Sequence, residues 1–99
     1  MTIKLVNRDT EGELLLEGRL DSVTAPEAEG IFNEVSQRFD KVILNFSGLN
    51  YISSAGLRLL LRLQQTMRKK NGELVLTHVN KMVMEVLEMT GFVGILQFQ

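Results

Sequence analysis

Apolar and polar residues alternate along Ile3 to Asn7, and more loosely along Glu13 to Glu17, with the polar turn Arg8-Asp9-Thr10-Glu11-Gly12 between them. A period of two on either side of a Gly-terminated turn predicts a β-hairpin. Gly18 to Ser22 leads out of the second strand. Thr24-Ala25-Pro26 then predicts a helix start, with a hydroxyl at the cap and Pro in the first turn, where its missing N–H leaves nothing unpaired. Glu27 and Glu29 put negative charge near the positive pole of that helix, and Ile31, Phe32, Val35 and Phe39 keep helical spacing to its end.

Lys41 to Phe46 is a compact apolar run with β-branched residues, the pattern of a central strand. Ser47-Gly48-Leu49-Asn50 reads as a turn. A second helix follows from about Ala55 to Lys70, with Arg68, Lys69 and Lys70 near its terminal carbonyls and Asn71-Gly72 as its stop. Glu73 to His78 predicts another strand. Asn80 stands as the cap of a third helix over Lys81 to Met89, stopped by Thr90-Gly91, and Ile95 to Phe98 predicts a last short strand or an ordered tail. The order β-β-α-β-α-β-α predicts a single α/β domain over residues 1–99. It has a mixed, mostly parallel four- to five-stranded sheet, an N-terminal hairpin and packed helices joined by right-handed crossovers.

On the second helix, Leu57, Leu60, Leu61 and Met67 share one face with Gln64, and Arg58, Arg62, Gln65 and Lys69 take the opposite face. Leu59 and Leu63 widen the apolar arc beyond an ordinary core stripe. That width fits a helix seated deeply in the fold, or one that offers Leu59 and its surroundings to a partner. Met82, Met84 and Met89 cluster on the third helix; the spacing assigns Met82 and Met89 to the core and leaves Met84 open. Glu85 and Glu88 read as a solvated face.

Composition narrows the chemistry. The 99 residues hold 11 basic and 12 acidic side chains, a net charge of −1, so there is no basic footprint for nucleic acid. There is no cysteine, which removes disulfides and thiolate metal sites, and the lone histidine cannot build a zinc centre. No G-x-G-x-x-G or P-loop pattern follows a strand. No apolar run approaches the ~20 residues of a membrane span, and the charged N-terminus lacks a signal sequence, so a soluble cytoplasmic domain is the expectation.

The candidate chemistry gathers at Ser53-Ser54-Ala55-Gly56, where strand gives way to the second helix. A hydroxyl there can cap the first N–H groups, or it can carry a phosphate that those groups and the helix dipole stabilise. A nucleophilic serine would need a base, and His78, at the end of another strand, is the only histidine available.

The segments LEGRLDSVTAPE and LNFSGLNYISSAGLRLLL, followed by NGELVLTHV and MTGF-x-GILQF, resemble a STAS domain of the bacterial anti-sigma factor antagonist type over essentially the whole chain. The resemblance implies a partner switch rather than an enzyme, with no cofactor of its own. The unphosphorylated antagonist would bind an anti-sigma factor that is also a serine kinase of the GHKL ATPase type. ATP and magnesium would belong to that kinase, and a PP2C-type phosphatase would reset the switch. By this resemblance Ser54 is the phosphate acceptor. Asp21 matches an acidic residue that assists the kinase, and Ser22, Thr24, Ser53, Gly56, Leu57, Arg58 and Leu59 complete the partner-binding surface. Many relatives carry Asp immediately before the acceptor, where this chain has Ser53. A STAS subunit of a lipid-transport or signalling assembly, with Ser54 only a cap, is the alternative role; a small hydrolase using Ser54 and His78 is the third.

Overall fold

The computed structural model describes residues 1–99. Its order is β1 (Thr2–Arg8), β2 (Glu11–Leu20), α1 (Ala25–Arg38), β3 (Lys41–Ile52), α2 (Ser54–Lys69), β4 (Glu73–Thr77), α3 (Lys81–Met89), a 3-10 turn (Phe92–Gly94) and β5 (Gln97–Phe98). The five strands form one sheet in the order β1-β2-β3-β4-β5, antiparallel at β1–β2 and parallel elsewhere. The mixed, mostly parallel sheet with an N-terminal hairpin is therefore as expected.

Side chains on one face of the sheet supply the core. Leu14, Leu16 and Leu20 from β2, Val42, Leu44 and Phe46 from β3, and Leu74 and Leu76 from β4 pack against Phe32 and Val35 of α1, Leu60, Leu63 and Met67 of α2, and Val83 and Leu87 of α3. Alternation along each strand sends Glu11, Glu13, Asn45 and Thr77 to the other face. Lys70 joins α1 to α2 by donating from Nζ to the Ser36 and Phe39 carbonyls at 2.8 and 3.0 Å, a cation on the last carbonyls of α1. No helix is long and apolar enough to cross a membrane.

Several expectations need correction. Ser47-Gly48-Leu49-Asn50 is not a turn, because β3 runs through it to Ile52. Its pairing with β2 slips twice, between Leu15 and Glu17 and between Gly18 and Arg19, so two bulges absorb extra residues. A Cβ on Gly48 would lie 2.7 Å from Glu17 Cγ and 3.0 Å from the Leu16 carbonyl, which is why a small residue marks the first bulge. Met82 and Met89 are not core: they are 60% and 87% exposed. The short α3 buries Val83 and Leu87, with Val86 partly covered against the core, and nothing covers its far side. On α2 the buried arc is rotated toward Leu59 and Leu63, leaving Leu61 half-buried, because the helix packs against both the sheet and α1. The helix stop at Asn71-Gly72 holds, with Asn71 itself in the left-handed conformation at φ 60°. The cap at Asn80 also holds: its Oδ1 accepts from the Val83 N–H at 2.8 Å.

Candidate functional site

The parallel register brings the two predicted segments together. Leu20 and Ile52 are the last partners of β2 and β3, and both chains leave the sheet there to enter helices. The Ser53 N–H donates to the Leu20 carbonyl at 2.9 Å, extending the ladder by one bond. Asp21-Ser22 and Ser53-Ser54 therefore sit side by side at the carboxyl edge of the sheet, the edge at which parallel α/β sheets place their sites.

On the β2 side, Asp21 shapes the turn into α1. Its Oδ1 accepts from the Val23 and Thr24 N–H groups at 3.0 and 3.1 Å, and its carbonyl accepts from the Ala25 N–H at 2.8 Å. Asp21 thus holds the turn before α1, and α1 itself, with Thr24 at its cap position, has no side-chain cap. The Thr24 hydroxyl instead accepts from the Asp21 N–H at 3.0 Å and donates to the Arg19 carbonyl at 2.8 Å, so it faces back into the turn rather than toward the first N–H groups of α1. The Thr24 N–H, followed by the Val23 N–H and Arg19, holds the Asp21 carboxyl below its ordinary pKa of 3.8 against the opposing effect of burial. Asp21 is therefore a fixed negative charge at neutral pH.

On the β3 side, the start of α2 is left open. Ser53 occupies the cap position with extended backbone, and its carbonyl accepts from the Leu57 N–H at 2.9 Å. Its hydroxyl makes no capping bond and is buried without a partner. The N–H groups of Ser54, Ala55 and Gly56 precede the first intrahelical bond, no side chain accepts from them, and the first turn carries no acidic residue. Ser54 is the first helical residue and is exposed.

Of the expected recognition residues, Gly56, Leu57 and Leu59 lie mostly below the surface. A Cβ on Gly56 would come within 2.8 Å of Ile52 Cγ1 and 2.9 Å of both Leu20 Cγ and the Leu20 carbonyl. Glycine here lets the first turn of α2 lie directly on the end of β2, which presents Ser54 at the junction. Leu57 and Leu59 are only 7% and 6% exposed and belong to the core. Leu59 also floors a groove of about 270 Å³ between α1 and α2, lined with it by Ser22, Glu29, Arg58 and Arg62. Arg62 is tied to Glu29, whereas Arg58 has no ion pair.

Three residues beside the junction have no motif to announce them. Arg19 stacks its guanidinium 4.2 Å from the centre of the Tyr51 ring and lies 3.4 Å from Asp21 Oδ2, and Val23 is 84% exposed beside Ser22. Arg19 and Tyr51 meet because they are register partners after the second bulge, a pairing legible only once that bulge is known.

His78 does not join this cluster. β4 ends opposite Asn45, and β3 continues past it to Ile52, roughly 20 Å farther on at the ordinary rise of a strand. The exposed His78 borders a separate depression with Arg8, Glu11, Lys41 and Thr77. Ser54 therefore lacks the histidine base on which the hydrolase reading depends.

Comparison with known proteins agrees with this architecture. The model of the STAS domain family matches residues 3–99. The predicted anti-sigma factor antagonist BtrV of Bordetella bronchiseptica is 37% identical over 99 residues, covering 94% of this chain and 83% of that protein. The anti-sigma-B factor antagonist of Listeria monocytogenes is 26% identical over 102 residues, covering 100% of this chain and 89% of its own. Among solved structures, the unphosphorylated anti-sigma factor antagonist SpoIIAA superposes with a TM-score of 0.78 at 16% identity, over 99% of this chain and 87% of that one. Its phosphorylated form from Bacillus gives 0.78 at 17%, over 99% and 91%. With the family model matching residues 3–99, this chain belongs to the STAS domain family.

Proposed function

We propose that this protein is an anti-sigma factor antagonist that works as a phosphorylation-controlled partner switch. Unmodified, it binds an anti-sigma factor that is also a serine kinase of the GHKL ATPase type, across the junction formed by Ser22, Val23, Tyr51, Ser54 and Arg58. Phosphorylation of Ser54 dissolves that complex, and a PP2C-type phosphatase restores it. The observation that carries the reading is the open start of α2, where an exposed serine heads a helix whose first N–H groups no side chain occupies.

Phosphorylation adds about −1.5 to −2 charges at neutral pH. At the start of α2 that charge meets a positive helix pole with no acidic neighbour in the first turn, so the fold tolerates it. A partner fitted to a neutral hydroxyl would have to desolvate a dianion and meet the fixed charge of Asp21 alongside it. A coupling of about 1–3 kcal/mol, or ~5–150-fold in affinity, is enough for a switch. The names of the sequence relatives support the antagonist role, and the existence of SpoIIAA in both phosphorylated and unphosphorylated forms supports the switching.

Incubation with ATP and a GHKL-type serine kinase from the same genome, followed by mass spectrometry, tests the acceptor. The expected product carries one phosphate on Ser54, and Ser54→Ala abolishes it while Ser53→Ala does not. Phosphate on Ser53 alone would move the acceptor, and no phosphate on either serine would favour the non-switching STAS role.

A further inference from the structure

Ser54 and Arg58 are four residues apart on α2 and both are exposed. Side chains with that spacing are neighbours on a helix surface, and an anion one turn N-terminal to a cation is the favourable order. The nearby cations differ in their engagement. Arg19 is held by Asp21 and the Tyr51 ring, and Arg62 is held by Glu29. Arg58 has neither an ion pair nor a hydrogen bond, and it lines the groove between α1 and α2.

We propose that Arg58 is the internal partner of a phosphate on Ser54. It is a site on this chain for a phosphomonoester, filled only after modification. This proposal rests on the switch reading of Ser54 and adds how the switched state is held. Guanidinium and phosphate are geometrically matched for paired hydrogen bonds. Asp21, fixed in the negative state across the junction, repels the phosphate from the β2 side and leaves the Arg58 side as the favourable direction. Phosphorylation then does two things at once. It adds a dianion, and it withdraws the unpaired guanidinium on the groove rim from any acidic group of a partner.

The charged groups around the junction and its groove are Arg19 near the end of β2, Asp21 just after it, Glu29 from α1, and Arg58 and Arg62 from α2. Their effects separate in a phosphorus NMR titration. The sample is the full chain with phosphoserine inserted at position 54 during translation, followed through the second phosphate ionisation near pH ~6. A neighbouring cation favours the dianion and lowers that pKa, so Arg58→Ala raises it, by about 0.15–0.4 unit for a helix pair of this spacing. Arg58→Lys restores part of the shift, because it keeps the charge and loses the fork. Arg62→Ala leaves the value nearly unchanged, and Asp21→Asn moves it in the opposite direction from Arg58→Ala. Arg58 and Arg62 are exposed, so their variants fold, and circular dichroism checks the Asp21→Asn sample. An unchanged phosphate pKa in Arg58→Ala, or a larger shift in Arg62→Ala, overturns the proposal. No kinase enters the experiment, so its failure leaves the switch reading standing. Conversely, failure of a kinase to modify Ser54 leaves the titration result standing.

Discussion

Two helices of this domain start in opposite ways. At α3, Asn80 closes the helix: its side-chain oxygen takes the Val83 N–H at 2.8 Å, and its Nδ2 donates to the Leu49 carbonyl at 2.9 Å, tying the helix start to β3. At α2, Ser53 stands at the same cap position and bonds nothing with its hydroxyl, while Ser54 behind it faces solvent. Both residues are good cap formers by type. Cap chemistry in a sequence therefore does not tell whether the cap is made. A closed start serves the fold, whereas an open one leaves donors and dipole available to an incoming charge.

The comparison breaks most readily at Gly56. The open start depends on α2 lying against Leu20, and Gly56→Ala puts a Cβ inside contact distance of both backbone and side chain. Urea unfolding is expected to show a loss of about 1–3 kcal/mol. An unchanged midpoint would mean that α2 is not seated on β2 as described.

The sharper test sets the two caps against each other. Asn80→Ala is expected to cost about 0.5–2 kcal/mol, because it leaves the Val83 N–H and the Leu49 carbonyl without partners. Ser53→Ala is expected to stay within about 0.5 kcal/mol of the parent, since its buried hydroxyl contributes no bond to lose. Equal costs by chemical denaturation would show that α2 is capped in solution and the contrast is false.

The smallest effect concerns the turn into α1, which the Asp21 carboxylate holds through the Val23 and Thr24 N–H groups. Its folded-state pKa is lowered, so the stability it contributes is present above the ordinary value of 3.8 and is lost as pH falls through the folded value. Asp21→Asn should therefore flatten the pH dependence of stability below about pH 4 and leave its slope at neutral pH unchanged. Urea titrations at several acidic pH values measure this, and an unaltered acid slope would show that the Asp21 carboxylate does not hold the turn into α1.

The sequence carried the strand and helix order because each element has its own periodicity and its own stop, as at Asn71-Gly72 and Asn80. It misplaced Met82 and Met89 because residue type does not reveal that nothing packs on the far side of α3. It ended β3 early because Ser47-Gly48-Leu49-Asn50 has turn composition and bulge geometry. At the junction, the serine segment was legible from its place between strand and helix. The roles of Gly56 and Asp21 were not, since both arise from packing of one strand end on the next helix. Arg19 and Tyr51 became neighbours only through the slipped register, which no local pattern encodes.

The central claim is that the open start of α2 is a binding surface governed by one phosphate. Titration calorimetry of the kinase-type anti-sigma partner against the unmodified chain and against the chain carrying phosphoserine at position 54 tests it most directly. The account predicts an affinity lower by ~5–150-fold for the phosphorylated chain, with both forms folded to the same extent. Equal affinities for the two folded forms would contradict it.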